Sequence, residues 1–127
     1  MGEDDRSGLS PENEKQQCYS VKCVFRLCSE TGHNYYEERV TLWRASSFDE
    51  ALELAKQEAE FNALVLGGES SGPISAFWIY EDDESPLSFP QGQEIDSMLR
   101  LSDLELKDYI ARFVDTGKEI RDTNPGP

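Results

Sequence analysis

Glu81-Asp82-Asp83-Glu84 places four carboxylates in succession, directly after the apolar run Phe77-Trp78-Ile79-Tyr80. Such a cluster could chelate a divalent cation or present an acidic surface to a basic partner. A calcium loop alternates ligands with spacers and needs glycine at its sixth position and an acid at its twelfth. Counted from Glu81, those positions hold Pro86 and Gly92. Consecutive acids on a strand end also point to alternate faces. The run is expected to be a solvated end that keeps an aromatic strand soluble, with an acidic docking surface as the functional alternative.

Glu37-Glu38-Arg39 is the second constellation. A carboxylate turned into a sheet needs a partner or an altered pKa. Glu38 with Arg39 therefore reads either as an ion pair pinning two parts of the fold or as a ligand-binding or catalytic pair. Trp43, among Lys22, Val24, Arg26 and Arg39 on an open sheet face, would make a stacking or cation–π patch; otherwise it is covered apolar surface.

Gly68-Glu69-Ser70-Ser71-Gly72 matches G-x-S-x-G. A nucleophile elbow follows a strand and enters a helix. Here a helix comes before, and Pro73 and a strand come after, so no serine hydrolase is expected. His33, the only histidine, lies in a turn with no cue pairing it to a nucleophile. Cys18, Cys23 and Cys28 fit neither zinc pairs nor CxxC chemistry and read as free thiols. No catalytic residue, metal site or cofactor is assigned.

The net charge of −14 over 127 residues argues against direct binding of nucleic acid, which needs clustered Lys and Arg. The acidity is concentrated in residues 46–91, where Lys56 alone faces ten acids. No apolar leader and no run near the ~18 residues of a membrane helix is visible, so a cytoplasmic protein is expected.

These residues need elements to hold them. Residues 18–28 alternate, with Tyr19, Val21, Cys23, Phe25 and Leu27 on one face, and predict a half-buried strand. A turn at 29–34 leads into a second strand, 35–45. Matching apolar to apolar sets Leu27 opposite Tyr36, Phe25 opposite Glu38 and Arg26 opposite Glu37. Ser47 and Glu50 form a capping box for a helix that Gly67 ends. Residues 74–82 form a third strand, apolar on both faces, hence central or covered by a partner. A fourth strand, 94–101, carries Ile95, Leu99 and Leu101 on one side. Ser102 and Glu105 form a second capping box, stapled by Leu101 and Leu106, for a helix ending at Gly117. The order β-β-α-β-β-α predicts an α+β domain over 18–117: an antiparallel four-stranded sheet with both helices on one face. Residues 1–17 are expected to be a disordered tail and 118–127 a flexible one.

Tyr36-Glu37-Glu38-Arg39, Ala45, Ser47, Glu50-Ala51, and Gly92, Glu94 and Ser97 resemble the motifs of the small bacterial domain of unknown function 4288. The likeness covers most of 18–116 and departs at Cys18, where that family commonly has Trp, and in the long acidic connection 81–91. It implies a compact bacterial domain and carries no activity with it.

Two function classes follow. The first is a non-enzymatic protein-interaction module, of the immunity or antitoxin kind, binding a basic protein partner. The alternative is a small-ligand-binding or enzymatic domain using Glu38 and Arg39. A homodimer through the open sheet face or an edge strand is a further possible arrangement.

Overall fold

The computed structural model describes residues 16–115. Strands β1 (Gln17–Cys28) and β2 (Asn34–Ala45) form a hairpin, helix α1 spans Phe48–Leu66, and β3 (Glu69–Ile79) and β4 (Gln93–Leu101) follow. Helix α2 (Leu106–Tyr109) runs on into a π-helical turn, Ile110–Val114. The sheet is antiparallel throughout, in the order β3-β1-β2-β4. The α+β class and the four-stranded antiparallel sheet match the sequence reading. The expected tails lie outside the described residues except at Gln16 and Gln17, and Gln17 already pairs with Ala45 at the start of β1.

β1 is one of the two inner strands and is buried on both faces. Its alternation therefore feeds two cores. Tyr19, Val21, Cys23, Phe25 and Leu27 pack with Trp43 and Ala45 against Ala51, Ala55, Ala59 and Ala63 of α1. An alanine every fourth residue makes a flat stripe that lets the helix lie close on the sheet. Val24 and Tyr36, on the other face, pack against Tyr109, with Leu104, Leu106 and Val114 around them. The two helices thus lie on opposite faces, not on one.

The hairpin register differs from expectation by one residue. Leu27 faces Tyr35, Phe25 faces Glu37, Val24 faces Glu38 and Arg26 faces Tyr36. Because side chains alternate, this slip exchanges the faces of every β2 residue relative to β1. It sends Glu38 to the α2 side and Trp43 to the α1 side.

The helix starts divide. Ser47 Oγ accepts the Glu50 N–H at 3.1 Å, and the Glu50 carboxylate reaches back to the Ser46 N–H at 2.6 Å. α2 instead begins at Leu106 with Glu105 as its cap and no side-chain cap bond. Ser102 Oγ serves a turn, accepting the Leu104 N–H at 3.2 Å, and Leu101 is exposed rather than stapled. Ser47→Ala is expected to cost about 1 kcal/mol in urea unfolding, and Ser102→Ala clearly less, because only Ser47 satisfies an orphan helix donor.

All of the G-x-S-x-G segment but Gly68 lies inside β3 rather than in a loop. Ser71 Oγ accepts the Val24 N–H at 3.0 Å and donates to the Gly72 carbonyl, while Gly72 adopts φ +71° at an irregularity in the β1–β3 ladder. Both serines are spent on backbone geometry, since Ser70 Oγ accepts the Gly72 N–H.

Candidate functional site

Adjacent residues of a strand face opposite ways, so β2 sends Glu38 to one side of the sheet and Glu37 and Arg39 to the other. Glu38 and Arg39 do not share a site. Glu38 is buried, 3.0 Å from Lys22 Nζ and 3.7 Å from Arg100 Nη1, and accepts the Tyr109 hydroxyl at 2.7 Å. Burial first, and then the Glu38 carboxylate, push the Tyr109 phenol well above its ordinary pKa. Tyr109 therefore stays a donor, and Tyr36 stacks on it with centroids 3.8 Å apart. This cluster fastens α2 to the sheet. The sequence did hold a signal for it: Tyr109, three residues after Leu106 and four before Phe113, falls on the helical stripe of Leu106, Ile110, Phe113 and Val114 but was not counted with those apolar residues. The π-helical turn after Tyr109 breaks the 3.6-residue phase on which that stripe depends.

On the α1 side, Arg39 lies between two carboxylates, with Nη1 2.8 Å from Glu58 and Nε 2.8 Å from Glu94. Burial alone would lower its pKa, but these two acids raise it on balance. Glu37 accepts the Ser97 hydroxyl at 2.6 Å. Phe25, Glu37, Arg39, Asn62, Leu66 and Glu94 line a cleft of about 220 Å³. Small-molecule sites usually start near roughly 300 Å³. The cleft is thus a shallow dent whose one cation is already ion-paired.

Trp43 is not a surface platform. It is buried against α1, donates from Nε1 to Thr41 Oγ1 at 2.7 Å, and would meet any Cβ at Gly92 within 3.2 Å. The acidic run is also split. Arg44 holds Glu81 in a bidentate pair at 2.6 and 2.7 Å, and Glu81 Oε2 accepts the Leu87 N–H at 2.9 Å. Arg44 also donates to the Leu87 carbonyl at 2.8 Å and lies over Phe89. Asp82 turns the chain, accepting the Glu84 N–H at 3.0 Å. Glu81 thus anchors the connection to β4, and Gln91 continues that work by exchanging two hydrogen bonds with the Arg44 backbone.

Burial pushes the Cys23 thiol up to about 12, with Glu58 adding to it, and raises Cys18 as well; Cys28 alone is exposed. Among the described residues no group of three or more His, Cys, Asp and Glu could hold a metal, and no helix is long and apolar enough to cross a membrane.

The sheet edges carry exposed apolar surface. β3 is an edge strand rather than a central one, with Phe77 and Trp78 more than half exposed. β4 forms the other edge. Leu99 and Leu101 are 65% and 76% exposed, Ile95 51% and Met98 40%. A bulge opposite Val40/Thr41 throws Ile95 out of phase with Leu99 and Leu101. Leu99 and Leu101 lie opposite Glu37 and Tyr35 on the α1 face, beside the cleft. Phe61, Leu64, Val65 and Leu66 at the end of α1 are also exposed. Comparison with protein-family models, curated proteins and solved structures finds no match.

Proposed function

We propose that this protein is a non-enzymatic interaction module that docks its partner along β4 and the apolar surface between β4 and the end of α1. The observation that carries the reading is the state of β4. It is a nine-residue edge strand, and four of its apolar side chains are 40% or more exposed. A long, apolar, uncovered edge is an aggregation hazard, so its retention points to a partner that covers it. The candidate chemistry supports the same reading. The serines, Glu38 and Arg39 are all engaged in holding the fold, and the cleft beside Arg39 is small.

A basic partner was expected on the acidic run. With Glu81 clamped by Arg44, that run contributes to the fold, and the apolar strand carries the docking argument better. The negative net charge would act on the speed of encounter more than on the contact itself.

Affinity capture from the native host tests this with three full-length proteins: wild type, Leu99→Gln with Leu101→Gln, and Asp82→Asn with Glu84→Gln. The leucine variant should unfold within about 0.5 kcal/mol of wild type, because both side chains are exposed. It should lose a partner that wild type and the acid variant retain. A partner lost only from the acid variant would overturn the reading.

A further inference from the structure

We infer that the partner covering β4 is a second copy of this chain, paired β4 to β4 in antiparallel fashion about a two-fold axis at Met98. The inference rests on the docking reading above and adds the partner and the register.

The backbone limits the registers. The Ser102 N–H donates to the Asn34 carbonyl at 3.3 Å, just beyond the Tyr35–Leu101 pair. Hydrogen-bonded and non-hydrogen-bonded pairs alternate along an antiparallel ladder. Arg100, opposite Tyr36, and Met98, opposite Glu38, therefore turn their backbone groups toward β2. The N–H and C=O groups of Ser97, Leu99 and Leu101 point outward from the edge. Two copies can satisfy these groups only by pairing odd-numbered residues with odd-numbered ones. The axis must then pass through a single residue, with Ser97, Met98, Leu99 and Arg100 the choices in the middle of the strand.

Charge selects among them. An axis at Met98 sets Asp96 opposite Arg100 of the second copy, and does so twice. An axis at Arg100 opposes two arginines, while one at Ser97 or Leu99 leaves Asp96 opposite Met98 or Ser102. Asp96 is exposed and makes no hydrogen bond or ion pair among the described residues. Arg100 lies over Phe113 at 4.0 Å and reaches Glu38 and Tyr109 through Nη1. On the α1 face the same axis brings Leu99 opposite Ser97 of the second copy, covering exposed apolar surface on both copies.

The edge is also nearly neutral. β4 carries Glu94, Asp96 and Arg100, and Glu94 is paired with Arg39. In a chain of net charge −14 this is a surface where two copies can meet without strong repulsion, and where a basic partner would gain little. Pairing there joins the two sheets and removes the exposed edge.

Sedimentation velocity on the full chain over a micromolar concentration series decides the matter. Wild type should dimerise with concentration. Asp96→Arg opposes arginines twice and should weaken dimerisation about tenfold or more. Arg100→Glu should do the same with acids. An equimolar mixture of the two variants should recover it, because both contacts become complementary. Met98→Cys in a Cys28→Ser background should form a disulfide-linked dimer on mild oxidation, since the axis places the two Met98 Cβ atoms in a close non-hydrogen-bonded pair. If Arg100→Glu does not fold, Asp96→Arg and the cross-link still decide. A monomer at every concentration overturns the second-copy inference and leaves the docking face to the capture experiment. Dimerisation that survives Asp96→Arg but is lost in the Leu99 and Leu101 variant overturns the register alone. Dimerisation that survives both overturns both.

Discussion

Tyr109→Ala is expected to remove about 3–5 kcal/mol of stability, the largest effect of any substitution considered. Tyr109 is fully buried, and it is the only buried residue of the nine that make up α2 and its π-helical turn. It stacks on Tyr36 with planes 13° apart, touches Phe113 with centroids 5.1 Å apart, and donates its hydroxyl to Glu38. Truncation empties that space and leaves a buried carboxylate short of one donor. Tyr109→Phe keeps the ring and should cost only about 1–2 kcal/mol, the loss of a hydrogen bond to a charged group. Urea unfolding of the three proteins measures both values. A neutral Tyr109→Ala would mean that α2 does not dock on the face opposite α1.

Glu38→Ala is expected to cost about 2–3 kcal/mol. Removing one partner of a buried ion pair usually costs more. Lys22 and Arg100, however, are each about a third exposed and can recover part of their hydration. Tyr109 cannot, because its buried hydroxyl loses its acceptor and keeps only the contact from Arg100 Nη1 at 3.4 Å. The neighbouring Arg39→Ala should cost only about 1 kcal/mol, because the carboxylates it leaves behind, Glu58 and Glu94, are both partly exposed. Equal costs at the two positions would contradict the contrast between the buried Tyr109 hydroxyl left by Glu38 and the partly exposed carboxylates left by Arg39.

Much of the architecture was legible in the sequence. Strict alternation at 19–27 gave β1, and Ser47 with Glu50 gave the start of α1. Gly67, which adopts φ +72°, gave its end. Register was not legible. β2 carries apolar residues on both faces, Tyr36, Val40 and Leu42 on one and Tyr35, Trp43 and Ala45 on the other, so either could be matched to the apolar face of β1 and apolar matching had no power to choose. The choice lies in the turn, where Ser29 N–H bonds to the His33 carbonyl and Gly32 takes φ +88°. The resulting one-residue slip accounts for the errors at both Glu38 and Trp43. Strand order was illegible for a related reason. Phe77 and Ile79 against Trp78 look like a strand covered on both faces, yet β3 ends at an edge. Arg44 was visible in the sequence, but its bond to Glu81 spans 37 residues and has no local signature.

The docking claim depends on the outward backbone groups of β4, and residue-resolved amide hydrogen exchange on the full chain tests them most directly. At high dilution, Met98 and Arg100 should exchange slowly, because their N–H groups bond to β2, while Ser97, Leu99 and Leu101 should exchange fast. As concentration rises and chains associate, those three should slow and the alternation should vanish. Contradiction would come from Ser97, Leu99 and Leu101 being as slow as Met98 and Arg100 at every dilution, which would mean the edge is already covered within one chain. It would come equally from all three staying fast in the associated state.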